Sequence, residues 1–143
     1  LAPQLDSVRA MQKLSANVRP TILVVDDDEF QHKLISRLLA EEDVDLTFAT
    51  SSSNAMASLH HHRPDMILMD IGLPDVDGIE STRRIKAFDR FSGIPVVMIT
   101  GHSQKDVVVR SLKAGATDFV VKPFNKETLI KRIRAVLEAD RNT

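Results

Sequence analysis

From Thr21 onward, short runs of β-branched and apolar residues alternate with longer stretches in which apolar positions recur every three or four residues. Such alternation is the signature of repeated β-α units around a parallel sheet. The first run, Ile22 to Val25, precedes a helical pattern with an acidic first turn, as the helix dipole prefers, and with Phe30, Leu34 and Leu38 expected on the inward face. A weaker strand at Asp45 to Ala49 is followed by Ser51, Ser52, Ser53 and Asn54, any of which can cap a helix that turns Ala55, Met56 and Leu59 inward. The third run, Met66 to Asp70, follows the turn residue Pro64 and leads into the turn-rich loop Gly72-Leu73-Pro74-Asp75-Val76-Asp77-Gly78 and a helix near Ile79 to Ala87.

The fourth run is Val96 to Thr100; Ser103 and Asp106 then form a capping-box pattern for a helix through Val107, Val108 and Leu112 that ends near Gly115. The fifth is Asp118 to Val121, after which Asn125 can cap a last helix facing inward through Leu129, Ile133, Val136 and Leu137. Met56, Met66, Met69 and Met98 fall at core-facing positions, where flexible side chains fill space. Residues 1–20 differ: Leu5, Val8, Met11 and Leu14 recur every three residues until Pro20 stops the pattern, which reads as a linker or helical arm. Residues 21–139 then make one domain and 140–143 a short tail.

Right-handed crossovers and short connections pack five such units into a doubly wound parallel sheet with helices on both faces, in the order 2-1-3-4-5 of flavodoxin-like folds. Ligands of these sheets bind at the carboxyl ends of the strands where the winding reverses, here between strands one and three. Asp26, Asp27 and Asp28 follow strand one, Asp70 ends strand three, Thr100 ends strand four and Lys122 follows strand five. Carboxylates about 4 Å apart near a protein surface repel by roughly 4 kcal/mol per pair, so the cluster calls for a divalent cation. Oxygen-only ligands suit magnesium, or manganese in its place. A carboxylate is also a competent nucleophile toward phosphorus, and the cation with Lys122 would offset charge on a transferring group.

Composition narrows the partners little. With 43% hydrophobic and 27% charged residues and a formal net charge of −1, the chain has no basic excess to attract nucleic acid or a membrane surface. The absence of cysteine excludes disulfides, zinc-thiolate sites and thiol catalysis. No stretch approaches the ~18 consecutive apolar residues of a membrane span, and the expected location is the cytoplasm. The chain begins at Leu1, which suggests a processed or excised piece of something longer. His60, His61 and His62 are consecutive, so on a helix they point about 100° apart and cannot converge on one ion. Lys126, Lys131, Arg132 and Arg134 form a solvated face without aromatic residues to stack bases, so direct nucleic-acid contact is not expected.

Val24-Val25-Asp26-Asp27-Asp28, Met69-Asp70 with Leu73-Pro74 and Asp77-Gly78, Thr100, and Val121-Lys122-Pro123-Phe124 together resemble the bacterial response-regulator receiver domains of two-component signalling, of the chemotaxis-regulator type. The likeness runs in order over about residues 21 to 139. It implies that Asp70 accepts a phosphoryl group from the phosphohistidine of a sensor histidine kinase or phosphotransfer protein. It further implies that Asp27 and Asp70 bind Mg2+ directly, that Asp26 does so through water, and that the backbone carbonyl of Gly72 completes the metal shell. Thr100 and Lys122 would bind the phosphoryl group, and the Lys122-Pro123 bond would be cis, a state that X-Pro pairs alone adopt readily. The family's switch couples Thr100 to an aromatic residue on strand five, here Phe119; the frequent tyrosine hydroxyl is missing, which leaves ring burial. Gly72 and His102 occupy positions that tune hydrolysis in the family. The resemblance also allows a homodimer through the fourth helix, fifth strand and fifth helix, and an output domain outside this chain.

Two alternatives stand beside this reading. Asp26-Asp27-Asp28 also matches the strand-ending Asp-x-Asp of haloacid-dehalogenase-type phosphatases, which form an aspartyl phosphate too. That family needs a further acidic motif downstream of its lysine, and no strand-ending carboxylate follows Lys122. The second alternative is a receiver-like module that signals without phosphorylation. Every expected reactive position is filled, so the leading expectation is a signalling domain that catalyses only its own phosphorylation and dephosphorylation.

Overall fold

The computed structural model describes residues 19–101 and 105–141. The elements are β1 (Thr21–Val25), α1 (Glu29–Leu38), β2 (Asp45–Ala49), α2 (Ser52–His61), β3 (Met66–Asp70), α3 (Gly78–Lys86), β4 (Val96–Thr100), α4 (Lys105–Lys113), β5 (Asp118–Val121) and α5 (Lys126–Arg141). All strand pairs are parallel and the order is β2-β1-β3-β4-β5, as the alternating pattern predicts. β1 and β3 are neighbours with Val25 opposite Met69, so their following residues leave the sheet side by side.

Side chains alternate across each strand, and the alternation divides the core in two. Leu23, Val25, Ile67, Met69, Val96 and Met98 face one way and meet α2 and α3 through Ala55, Leu59, Ile79 and Ile85. Ile22, Val24, Met66, Leu68, Val97 and Ile99 face the other way and meet α1 and α5 through Ile35, Leu129, Ile133 and Val136. β3 and β4 are buried along their whole length, as central strands covered on both faces should be. Each fully buried aliphatic side chain contributes about 1.5–3 kcal/mol.

Caps set where the helices begin. Asp28 accepts from the Phe30 amide at 2.9 Å, Ser51 from Asn54 at 3.0 Å, Asp77 from Glu80 at 2.8 Å and Asn125 from Thr128 at 2.8 Å. Ser103, the expected cap of α4, lies outside the described residues, as does the expected helical arm up to residue 18. Past the last turn of α4, Gly115 adopts φ 108°, a left-handed conformation that ends the helix at little steric cost.

The expected inward face of α1 holds only at Leu38, which packs half-buried against the core. Phe30 is 82% exposed and Leu34 41% exposed, whereas Ile35 is fully buried and Leu39, just past the helix, nearly so. Two apolar stripes compete on this helix, and contacts outside it choose between them. The His32 ring stacks on Phe48 of β2 at 4.8 Å between centroids, and its Nε2 donates to the Asp26 carbonyl at 2.6 Å. Those contacts turn the Gln31, Ile35 and Leu39 side toward the sheet, and Phe30 is carried outward.

This phase is testable by urea denaturation. Ile35→Ala should lose about 2–5 kcal/mol, the range for truncating a buried aliphatic side chain, while Phe30→Ala should stay within about 0.5 kcal/mol of the parent. Equal losses would restore the face expected from the sequence.

Candidate functional site

Parallel register brings the carboxyl ends of β1, β3, β4 and β5 to one edge of the sheet. Asp26, just past β1, and Asp70, the last residue of β3, are buried, while Asp27 is exposed. One carboxylate oxygen from each of the three lies within 4.8 Å of the others. Lys122 reaches across from the end of β5, and its Nζ donates to Asp70 Oδ1 at 3.0 Å. The Lys122 amide donates to the Thr100 carbonyl at 2.7 Å, which joins the ends of β4 and β5, and the Lys122-Pro123 bond is cis. Thr100 is buried at the end of β4, and its backbone follows Ile99, the register partner of Asp70.

Asp28 separates from its two neighbours in sequence. Its carboxylate is spent on the α1 cap, and its amide donates to Asp26 Oδ1 at 2.9 Å. Asp26 Oδ2 is buried and has no hydrogen-bond partner among the described residues. Burial raises the Asp26 pKa above its ordinary value; the Asp28 amide opposes that rise, and the nearby charge of Asp70 adds to it. A buried carboxylate oxygen with an open lone pair, facing two more carboxylates, is the donor set of a hard divalent cation, so the residues fit a metal of the magnesium class.

The loop after Asp70 is held by contacts that sequence reading missed. The Gly78 amide donates to the Ile71 carbonyl at 2.7 Å, and α3 starts against the backbone of Asp70 itself. A Cβ at Gly78 would lie 2.0 Å from the Asp70 carbonyl oxygen and 2.8 Å from Ile71 Cα, so no residue with a side chain fits there without moving the loop. Within the loop, Asp75 accepts from the amides of Ser52 and Ser53 at 3.0 Å each, tying it to the start of α2, and these bonds lower the Asp75 pKa. Asp77-Gly78 was visible as a motif, but nothing in one sequence says that the glycine abuts Asp70. Gly72 is exposed beside the site, since a Cβ there would sit 3.7 Å from Asp70 Oδ2. Phe119 is half-buried against the α2 and α3 side of the core, and His102 lies outside the described residues.

The raised Asp26 pKa has a definite sign for stability. The folded state holds this proton more tightly than the unfolded state, so stability falls as pH rises from the unfolded carboxylate range through the raised folded value. At neutral pH the ionised Asp26 therefore opposes folding when no cation is supplied. In chelator, Asp26→Asn should melt at a higher temperature than the parent at pH 7, and the gap should close as the pH falls below the unfolded carboxylate range. A lower Tm at pH 7 would show that ionised Asp26 does not oppose folding.

Comparison with known proteins agrees with this geometry. Residues 22–134 match the model of the response regulator receiver domain. The DNA-binding response regulator MtrA of Mycolicibacterium smegmatis is 38% identical over 120 residues, covering 84% of this chain and 51% of the relative. The phosphate regulon transcriptional regulatory protein PhoB of Pseudomonas aeruginosa is 35% identical over 120 residues, covering 84% of this chain and 52% of that protein. The chain thus spans about half the length of these relatives. Among solved structures, the signal receiver domain of a signal transduction histidine kinase from Syntrophus aciditrophicus superposes with a TM-score of 0.80 at 31% identity, covering 87% of this chain and 94% of the other. With its sheet order, its strand-end carboxylates and more than half its length matched, the chain belongs to the response regulator receiver domain family of two-component signal transduction.

Proposed function

We propose that the chain is a phosphorylation-driven switch in which Asp70 takes a phosphoryl group from the phosphohistidine of a sensor histidine kinase or phosphotransfer protein. One observation carries this reading: Asp70 sits within 4.8 Å of Asp26 and Asp27 at its carboxylate and is gripped by Lys122 at 3.0 Å. In the transfer, an Asp70 carboxylate oxygen attacks phosphorus, the phosphorus–nitrogen bond breaks, and its electron pair stays on the departing imidazole. The product is an acyl phosphate on Asp70.

Asp27 and Asp70 would hold Mg2+ or Mn2+ directly, with the Gly72 carbonyl beside them and Asp26 acting through water. Bound magnesium supplies positive charge against the phosphoryl oxygens. Lys122 orients Asp70 beforehand and then neutralises the charge that the acyl phosphate adds, while Thr100 donates a hydrogen bond to it. Gly72 and His102 occupy the sequence positions that tune hydrolysis in this family and would do so here. The phosphatase alternative gives Asp70 no role and therefore leaves its contact with Lys122 unexplained.

Phosphorylation adds about −1.5 to −2 charge at the end of β3 and would bias Thr100, Phe119 and the surface of α4, β5 and α5. That surface is where partner binding, including a second copy of the chain, would change; Arg132 of α5 pairs there with Asp118 of β5 at 3.0 Å. The relatives, one named as a DNA-binding response regulator and the other as a transcriptional regulatory protein, are about twice as long, which supports an output domain joined to this receiver in the whole protein. Among the described residues no helix is long and apolar enough to cross a membrane, which accords with a cytoplasmic place for the switch.

Mass spectrometry after incubation with magnesium and a small acyl phosphate such as acetyl phosphate should show one added phosphoryl group on the parent and none on Asp70→Ala. Lys122→Ala should bind magnesium yet take up the group at least tenfold more slowly. Equal labelling of the Asp70 variant would reject the assignment, and labelling of the parent in chelator would reject the metal requirement.

A further inference from the structure

Asp26 is held at every polar atom but one. Just past β1, its amide donates to the Ala49 carbonyl of β2 at 3.0 Å, its Oδ1 accepts from the Asp28 amide at 2.9 Å, and its carbonyl accepts from His32 Nε2 at 2.6 Å. The buried Oδ2 has no hydrogen-bond partner among the described residues and is the atom left for a cation. The amide bond continues the pairing of β1 with β2, and the Oδ1 bond closes a turn two residues long, so neither needs a particular side chain elsewhere. The carbonyl bond does.

That bond comes from the start of α1. The His32 amide donates to the carbonyl of the cap residue Asp28 at 3.2 Å, which places His32 on the first turn. Side chains of a helix lean toward its amino terminus, so the imidazole reaches back past the cap to a carbonyl six residues before it. A carbonyl has no proton to give, so Nε2 carries the proton of this bond. The ring lies against Phe48 of β2, with centroids 4.8 Å apart and planes at 32°, and that contact limits how it can turn.

The Asp26 carbonyl and the Asp27 amide belong to one planar peptide unit. Fixing the direction of that carbonyl therefore fixes the direction in which the chain enters Asp27, whose exposed carboxylate lies in one cluster with those of Asp26 and Asp70. One imidazole thus orients the backbone between two of the three carboxylates.

We propose that His32 is a positioning residue for the divalent cation: its Nε2–H holds the peptide between Asp26 and Asp27 so that Asp26 Oδ2 and the Asp27 carboxylate face one ion. The inference rests on the magnesium site proposed above and adds to it a residue of α1 that lies at no strand end. Without the bond the peptide can swing, and the carboxylates must be gathered again each time an ion binds. Affinity for the ion then falls, while the chemistry at Asp70 is unchanged once the ion is in place. Groups that orient metal ligands in this way typically change affinity by about 10–100-fold.

Two substitutions separate the hydrogen bond from the ring. His32→Phe keeps an aromatic face for Phe48 and removes the donor, whereas His32→Gln gives up the ring and keeps an N–H of similar reach. Magnesium titration followed by the amide chemical shifts of Asp27, Asp70 and Gly72 should give a dissociation constant about tenfold higher or more for His32→Phe, and one within about threefold of the parent for His32→Gln. In phosphoryl uptake from acetyl phosphate, the magnesium concentration at half-maximal rate should rise by the same factor in His32→Phe, with the rate at saturating magnesium within about twofold of the parent. Signals of β4, β5 and α5 that overlay on the parent's verify that both variants are folded. A parental dissociation constant in His32→Phe overturns the proposal. Equal weakening by both substitutions overturns it too, because the effect would then belong to ring packing on Phe48. The expected order of affinities in a parent that takes up no phosphoryl group supports His32 and rejects the role of Asp70, whereas a parent whose shifts ignore magnesium overturns the metal site and this proposal together.

Discussion

Three carboxylates with oxygens inside 4.8 Å of one another are a repulsive arrangement, and the rest of the molecule can be understood as what holds them there. At such distances each ionised pair opposes folding by roughly 4 kcal/mol near a surface, a large share of the 5–15 kcal/mol by which domains are stable. One cation, the Lys122 ammonium, offsets part of this from within the chain. The remainder is carried by a sheet whose central strands are buried on both faces, so the strand ends cannot splay apart without exposing the core.

That scaffold also explains why the loop after Asp70 is so tightly tethered. Gly78 packs against the Asp70 backbone, Asp77 caps α3, and Asp75 reaches over to the first amides of α2. A loop that adjoins a buried carboxylate keeps its place through contacts made along its length and at its end. Here the contacts come from two helices on the same face of the sheet. Gly72 precedes these anchors and is exposed beside the Asp70 carboxylate.

Much of the architecture was legible before any coordinates. β2, β3, β4 and β5 occupy the residues expected; for β3 and β4 the reason is that a strand buried on both faces has to be continuously apolar and is bounded by turn residues, while the edge strands β2 and β5 show as β-prone runs between turn and cap residues. The caps at Asn125 and Ser51 were legible too, since capping depends on residues a few positions apart. The phase of α1 was not. Phe30 and Leu34 form as regular a stripe as Ile35 and Leu39 do, and only the His32 contacts with Phe48 and with the Asp26 carbonyl distinguish them.

The candidate site divides in the same way. By itself the sequence determined which reactive groups end which strands, because strand ends follow from local runs of residues, and it thereby determined the family. Tertiary structure alone decided that Asp26 is buried with an oxygen that has no hydrogen-bond partner among the described residues, while Asp28, two positions on and of the same chemistry, stays outside as the local cap of α1. It alone decided that Lys122 touches Asp70, 52 positions away, and that Gly78 can have no side chain. The physical reason is that burial at a strand end, the Lys122 contact and the close approach of α3 to Asp70 all depend on how the sheet and the helices packed on it bring separate segments together, which no local pattern encodes.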